Sequence, residues 1–171
     1  LTVGASPSPH GSILTFINDN LAAEAGLQLN IVEFSDYIQP NEALNAGELD
    51  ANFFQTVPYL EAQTEERGYD FVAGSPVHIE PLGIYSETIT DIADVPEGAK
   101  VGIITDPSNQ GRALELLAAN GLVELPADGA INATTVTPLK GISLIEVEGP
   151  SLVRNLQDVD IAVINGNFAL E

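Results

Sequence analysis

The chain has 171 residues, 44% of them hydrophobic, enough for a buried core arranged as one domain or two small lobes. Twenty-five acids stand against five cations, a formal net charge of −20, which excludes a nucleic-acid surface built on clustered Lys and Arg. With no cysteine, disulfides, thiolate metal sites and a cysteine nucleophile are excluded within these residues, and the acidity suits a solvated, extracellular or salt-exposed surface.

Leu1 to Ala5 reads as an opening strand, followed by the Pro-rich turn Ser6 to Ser12 and a helix from Ile13 to Leu21 that Gly26 stops. A second strand spans 29–34, Pro40 to Leu44 is a short helix, 49–54 is a third strand, and Tyr59 to Arg67 is a helix. This βαβαβα order predicts a parallel sheet with crossover helices. Past Gly68 the chain is extended and interrupted by Pro81 and Gly83, which suits a passage between lobes. The expected boundaries are residues 1–78 for a first lobe, 79–86 for a crossover, 87–164 for a second lobe and 165–171 for the start of a second crossover. Within the second lobe a strand over 100–105 leads into a helix over 108–120. A loop-rich stretch over 121–137, a strand over 142–147, a helix around 151–156 and a buried strand over 160–164 complete it. Because a buried strand needs cover, a further stretch that completes the first lobe is expected downstream.

The turn Thr105-Asp106-Pro107-Ser108-Asn109-Gln110-Gly111 comes after the apolar run Val101 to Ile104 and opens a helix, with Ser108 as its expected N-cap and Arg112 in its first turn. A cation there works against the helix macrodipole by about 0.3–1 kcal/mol unless an anion lies nearby. Two readings stay open. Arg112 anchors a small anion at a strand-to-helix turn, or it pairs on the surface with Asp106 or Glu115.

Ligands of open α/β sheets bind beyond the carboxyl ends of the strands, where His10, Tyr37, Phe54, Asn109, Arg112 and Asn165 all fall. They converge if two lobes face each other across a cleft, the geometry of a clamshell binder. Each has a purely structural alternative: packing for Tyr37, Phe54, Tyr59 and Tyr85, turn or support roles for His10 and His78, and turn propensity for Asn165 and Asn167 around Gly166. No G-x-S-x-G elbow, Walker loop, G-x-G-x-x-G or H-E-x-x-H occurs, and Asp158 and Asp160 lack the surrounding oxygens of a calcium loop. Neither catalysis, nor a metal, nor a cofactor is expected.

Five stretches then carry a resemblance. They are Val32-Glu33-Phe34-Ser35-Asp36-Tyr37-Ile38-Gln39-Pro40-Asn41, Leu49-Asp50-Ala51-Asn52-Phe53-Phe54-Gln55, Pro58-Tyr59-Leu60, Asp106-Pro107-Ser108-Asn109-Gln110-Gly111-Arg112-Ala113-Leu114 and Asp160-Ile161-Ala162-Val163-Ile164-Asn165-Gly166-Asn167. In this order the chain resembles the methionine-binding lipoproteins of bacterial ABC importers, the NlpA or D-methionine-binding lipoprotein family. The resemblance implies an α/β, two-lobed periplasmic-binding-protein-like (type II) fold whose C-terminal part is missing from this sequence. It implies an extracytoplasmic, monomeric solute-binding protein held to the membrane by a lipid anchor outside this sequence. Such a protein delivers L- or D-methionine to an ABC permease and ATPase.

Carried over residue by residue, Arg112 resembles the arginine that binds the ligand carboxylate, with Asn109 one turn away. Tyr37, Phe54 and Tyr59 resemble the aromatic wall around the thioether, Asn165 a polar contact to the backbone end of the amino acid, and His10 and His78 secondary ligand-binding candidates. Thr56 stands where family members often carry histidine. That departure keeps open a different amino acid or a short peptide as ligand. From other classes, an enzyme on a similar two-lobed fold and a surface protein without ligand are the alternatives.

Overall fold

In the computed structural model, which describes all 171 residues, the alternating apolar residues of Thr2–Ala5 form strand β1, with Val3 and Ala5 buried. A helical turn over Pro7–Gly11 leads into helix α1 (Ser12–Asn20), then strand β2 (Asn30–Glu33), helix α2 (Gln39–Asn45), strand β3 (Ala51–Phe53) and helix α3 (Val57–Arg67). The three strands make the expected parallel sheet, in the order β2-β1-β3, with Val3 beside both Ile31 and Ala51. Val3, Ala5 and Leu14 are its buried centre, and Leu29, Ile31 and Phe53 pack on them. Close packing explains Gly4, where a Cβ would lie 2.6 Å from Leu49 Cδ1 and 3.0 Å from the Phe34 ring.

These elements belong to one compact unit, Leu1–His78 with Leu170–Glu171; Ile79–Ala169 make the other. In the first unit burial, and to a lesser degree the nearby Glu33 carboxylate, push the Glu171 carboxyl above its ordinary range. The folded state therefore keeps that proton to higher pH than an unfolded chain would. The contribution to stability is present at acid pH and lost as the pH rises.

The second unit holds strand β4 (Leu82–Tyr85), strand β5 (Lys100–Ile104), helix α4 (Pro107–Ala119), strands β6 (Val123–Glu124), β7 (Thr137–Pro138), β8 (Ser143–Val147) and β9 (Ile161–Asn165), and a last short helix α5 (Gly166–Ala169). Its main sheet runs β4-β9-β5-β8, with β5 parallel to both neighbours and β4 antiparallel to β9. Val101, Ile103, Ala113, Leu114, Leu117, Leu122, Ile161 and Val163 form the core between the sheet and α4. Ala113, Leu114 and Leu117 recur at helical spacing, so one face of α4 lies on the sheet.

The structure departs from the sequence reading at four places. Half of the stretch expected as a crossover, 79–86, is strand β4 (Leu82–Tyr85), hydrogen-bonded to β9 from Leu82 opposite Asn165 to Tyr85 opposite Ala162. The helix expected around 151–156 is two tight 3₁₀ turns, Gly149–Ser151 and Arg154–Gln157, because the few residues between Pro150 and Asp158 cannot offset the cost of helix nucleation. The loop-rich stretch 121–137 holds strand β6 and the first residue of its partner β7. Of the residues expected to start a second crossover, Asn165 closes β9 and Gly166–Ala169 form α5 within the second unit, while Leu170–Glu171 group with the first.

Gly149 sits where a Cβ would come within 2.7 Å of the buried Phe168 ring and 3.1 Å of Ile104 Cδ1. Overpacking a filled core typically costs about 1–3 kcal/mol. Gly149→Ala is therefore expected to lower the unfolding free energy by about 1–3 kcal/mol, read as a lower urea midpoint with an unchanged slope, and a midpoint equal to that of the parent would show that the ring yields freely.

Candidate functional site

In the first unit β1, β2 and β3 run the same way, so the segments leaving their carboxyl ends collect at one edge of the sheet. Tyr37 comes after β2, Phe54 after β3, and Tyr59 lies in the first turn of α3. Their rings form a trio with centroid separations of 5.9 Å for Tyr37 and Phe54, 5.8 Å for Tyr37 and Tyr59, and 6.0 Å for Phe54 and Tyr59. These are tilted and edge-on arrangements, which the ring quadrupoles favour. The Tyr59 hydroxyl donates to the Tyr37 carbonyl at 2.9 Å, and Phe54 and Tyr59 are buried. Thr56 is the N-cap of α3, its Oγ1 accepting the Tyr59 N–H at 3.4 Å, so the hydroxyl serves the helix start.

His10 comes after β1 and is buried, its ring edge-on to Phe53 at 4.7 Å and to His78 at 5.0 Å, with Phe53 and His78 5.5 Å apart. Two ring clusters thus stand at the carboxyl edge of one small sheet. Both histidines belong to the second of them.

In the second unit β5 and β9 are parallel, and Asn109, Arg112 and Asn165 gather beyond their carboxyl ends. Arg112 Nη1 donates to Asn109 Oδ1 at 2.9 Å and Nη2 to the Glu80 carbonyl at 3.1 Å, while Asn165 Nδ2 donates to the same Asn109 oxygen at 3.0 Å. Asn109 Oδ1 is the hub that ties the guanidinium to the end of β9. Neither Asp106 nor Glu115 is the partner of Arg112, which removes the surface-pair reading.

Asp106, not Ser108, caps α4. Its Oδ1 accepts from the Asn109 N–H at 3.1 Å, from Ser108 Oγ at 2.9 Å and from Asn109 Nδ2 at 3.2 Å. The cap thus lies two residues earlier than expected and the helix begins at Pro107, so Arg112 falls in its second turn. Asp106 places a carboxylate where the dipole favours one. Arg112 keeps N–H donors beyond the two it uses, and Asn165 Oδ1 is buried without a partner. The arrangement offers donors for a carboxylate and a waiting acceptor for an ammonium group.

Several residues that sequence reasoning did not single out fix this geometry. Gln110, buried beside Asn109, donates through Nε2 to the Ile104 carbonyl at 2.9 Å and to Glu146 Oε1 at 2.8 Å, and accepts from the Ala133 N–H at 3.0 Å. It joins α4 to the end of β5, to β8 and to the loop before β7. Asn41, Asn52 and Gln55 make a closed amide network in the first unit. Their only signal in sequence is a polar residue inside an apolar strand pattern at Asn52; the rest requires burial to be seen.

With both groups of residues at strand carboxyl ends, the fold is that of the periplasmic substrate-binding proteins. The family model described as NlpA lipoprotein matches residues 1–171, and the chain belongs to that family. Among solved structures it is similar to a lipoprotein structure from Actinomyces odontolyticus, 60% identical with a TM-score of 0.96 over 99% of this chain and 71% of that one. It is also similar to a nutrient-binding protein of Burkholderia cenocepacia bound to methionine, 38% identical with a TM-score of 0.95 over 99% of this chain and 73% of that one. The D-methionine-binding lipoprotein MetQ of Escherichia coli K12 is 41% identical over 150 residues, 84% of this chain and 55% of that protein. The chain spans 55% to 63% of the length of the first curated relatives it matches.

Proposed function

We propose that this chain is the ligand-binding part of an extracytoplasmic receptor that captures methionine, L or D, for an ABC importer. The observation that carries the reading is the Arg112–Asn109–Asn165 cluster at the carboxyl ends of β5 and β9. Its free guanidinium N–H groups suit an α-carboxylate, and Asn165 Oδ1 suits the α-ammonium. The Tyr37, Phe54 and Tyr59 trio supplies rings for a thioether, worth about 0.3–1.5 kcal/mol for a sulfur against an aromatic edge. His10 and His78 add polar ring atoms beside Phe53. The names of relatives and the methionine-bound neighbour support the same ligand. On this reading the partners are a permease and an ATPase, the protein is a monomer, a lipid anchor beyond these residues holds it at the membrane, and it performs no catalysis.

Titration calorimetry with L-methionine and D-methionine tests the ligand, on this chain and on a form extended to the length of its relatives. A saturable heat with either enantiomer is expected. No heat from the extended form at millimolar concentration would overturn the methionine reading. Heat with another amino acid or with a short peptide in its place would favour the second reading, which rests on threonine at position 56.

A further inference from the structure

The Asn41, Asn52 and Gln55 side chains are interleaved along the chain with the members of the aromatic trio, and the hydrogen bonds among them are short and mutual. Asn41 Nδ2 donates to Gln55 Oε1 at 3.0 Å, and Asn41 Oδ1 accepts from Asn52 Nδ2 at 2.8 Å and from Gln55 Nε2 at 2.9 Å. Gln55 Nε2 also donates to Asn52 Oδ1 at 3.0 Å, and Asn52 Nδ2 to the Pro40 carbonyl at 3.1 Å. Asn41 is 0% exposed, yet each polar atom of its side chain is satisfied. A three-amide ring closed on a fully buried Asn41 is stiff, because breaking a bond to Asn41 strands one of its polar atoms away from water.

Its place in the chain gives the stiffness a target. The network clamps the segment Pro40-Asn41 to the segment Asn52-Gln55. Tyr37 lies three residues before Pro40, and Phe54 lies between the two clamped residues Asn52 and Gln55. Tyr59 is tied to the first segment through its bond to the Tyr37 carbonyl and to the second through the Thr56 cap. The three rings, about 6 Å apart, are thus flanked along the chain by amides bonded to one another and not to any of the rings. Apolar residues at 41, 52 and 55 would fill the same volume without fixing an orientation.

We infer that Asn41, Asn52 and Gln55 are positioning residues that hold the Tyr37–Phe54–Tyr59 trio in the geometry that selects the ligand's side chain. The inference rests on the receptor reading above and assigns side-chain selectivity within it to a network beside the aromatic trio.

The test uses Gln55→Ala, which removes three of the five bonds from a half-buried position, with Asn41→Leu as the more severe change. Methionine affinity is measured by calorimetry, alanine affinity by displacement, and the tyrosine band by near-ultraviolet circular dichroism. In Gln55→Ala the preference for methionine over alanine should fall about tenfold, with alanine affinity within about twofold of the parent, and the tyrosine band should weaken. An unchanged preference with an unchanged band would overturn the inference, as would equal losses for both ligands, which mark general loosening. Should the parent, in the form extended to the length of its relatives, bind neither ligand, the receptor reading fails on its own. The tyrosine band then still decides whether the network orders the rings, and an unaltered band in a folded Gln55→Ala protein rejects it. If Asn41→Leu does not fold, Gln55→Ala alone decides the outcome.

Discussion

Replacing Arg112 with alanine should weaken methionine binding by about 30-fold or more, a loss of about 2 kcal/mol or above. Hydrogen bonds to charged groups contribute about 1.5–3 kcal/mol each, and a carboxylate left without its guanidinium in a desolvated site forfeits more than one of them. The variant should fold normally, since Asn109 Oδ1 keeps the Asn165 donor and the Asp106 cap of α4 is untouched. Arg112→Lys should fall between the two, because an ammonium keeps the charge but cannot serve Asn109 Oδ1, the Glu80 carbonyl and a ligand with one planar fork. Calorimetry with methionine and with its alcohol analogue, which lacks the carboxylate, isolates the contact. The Arg112→Ala penalty should appear for methionine and nearly vanish for the alcohol, and a methionine affinity within about threefold of the parent would remove Arg112 from the anchor role.

Leu114→Ala should be the most damaging single change to stability among those considered, at about 2–5 kcal/mol. Leu114 is 0% exposed and belongs to the core with Val101, Ile103, Leu117 and Val163, so truncation leaves a cavity walled by a sheet and a helix that cannot collapse freely. Against a typical total of about 5–15 kcal/mol this is a large fraction, and a marginal chain would be partly unfolded at physiological temperature. Urea unfolding reads the effect directly, and Leu114→Met, which conserves volume, should cost less than about 1.5 kcal/mol. A Leu114→Ala loss under about 1 kcal/mol would mean that α4 is not the keystone of the second unit. Although Leu114 lies two residues beyond Arg112 on the same helix, the folded fraction of Leu114→Ala should bind methionine within a few-fold of the parent. Stability and ligand grip are thereby separated on one element.

Much of the site is legible in the sequence. The order βαβαβα predicts a parallel sheet, and a parallel sheet delivers the segments after its strands to one edge, which is why Tyr37, Phe54 and His10 can be named together, and Asn109, Arg112 and Asn165 likewise. The partner of Arg112 is a different kind of question. From spacing, Asp106 and Glu115 are as eligible as any; the structure gives it Asn109, a helical turn away, and the carbonyl of Glu80, 32 residues distant. Ser108 and Asp106 both have the chemistry of an N-cap, and Asp106 takes the role because its carboxylate reaches three donors at once. Thr56 reads in sequence as a substituted ligand contact, and only the structure shows that its Oγ1 also accepts from the Tyr59 N–H at the start of α3.

The sequence by itself determined the alternation of strand and helix, the strand ends at which chemistry-bearing residues lie, and the family to which those stretches point. These are properties of neighbours a few positions apart, governed by periods of about two and 3.6 residues and by which side chains can cap a helix. Only the tertiary structure decided that residues 82–85 join a sheet, that 151–156 is not a helix, and that Asn41 meets Gln55 and Gln110 meets Glu146. The reason is that a buried polar atom must be satisfied by whichever group the folded chain brings within about 3 Å, and separation along the sequence places almost no limit on which group that is.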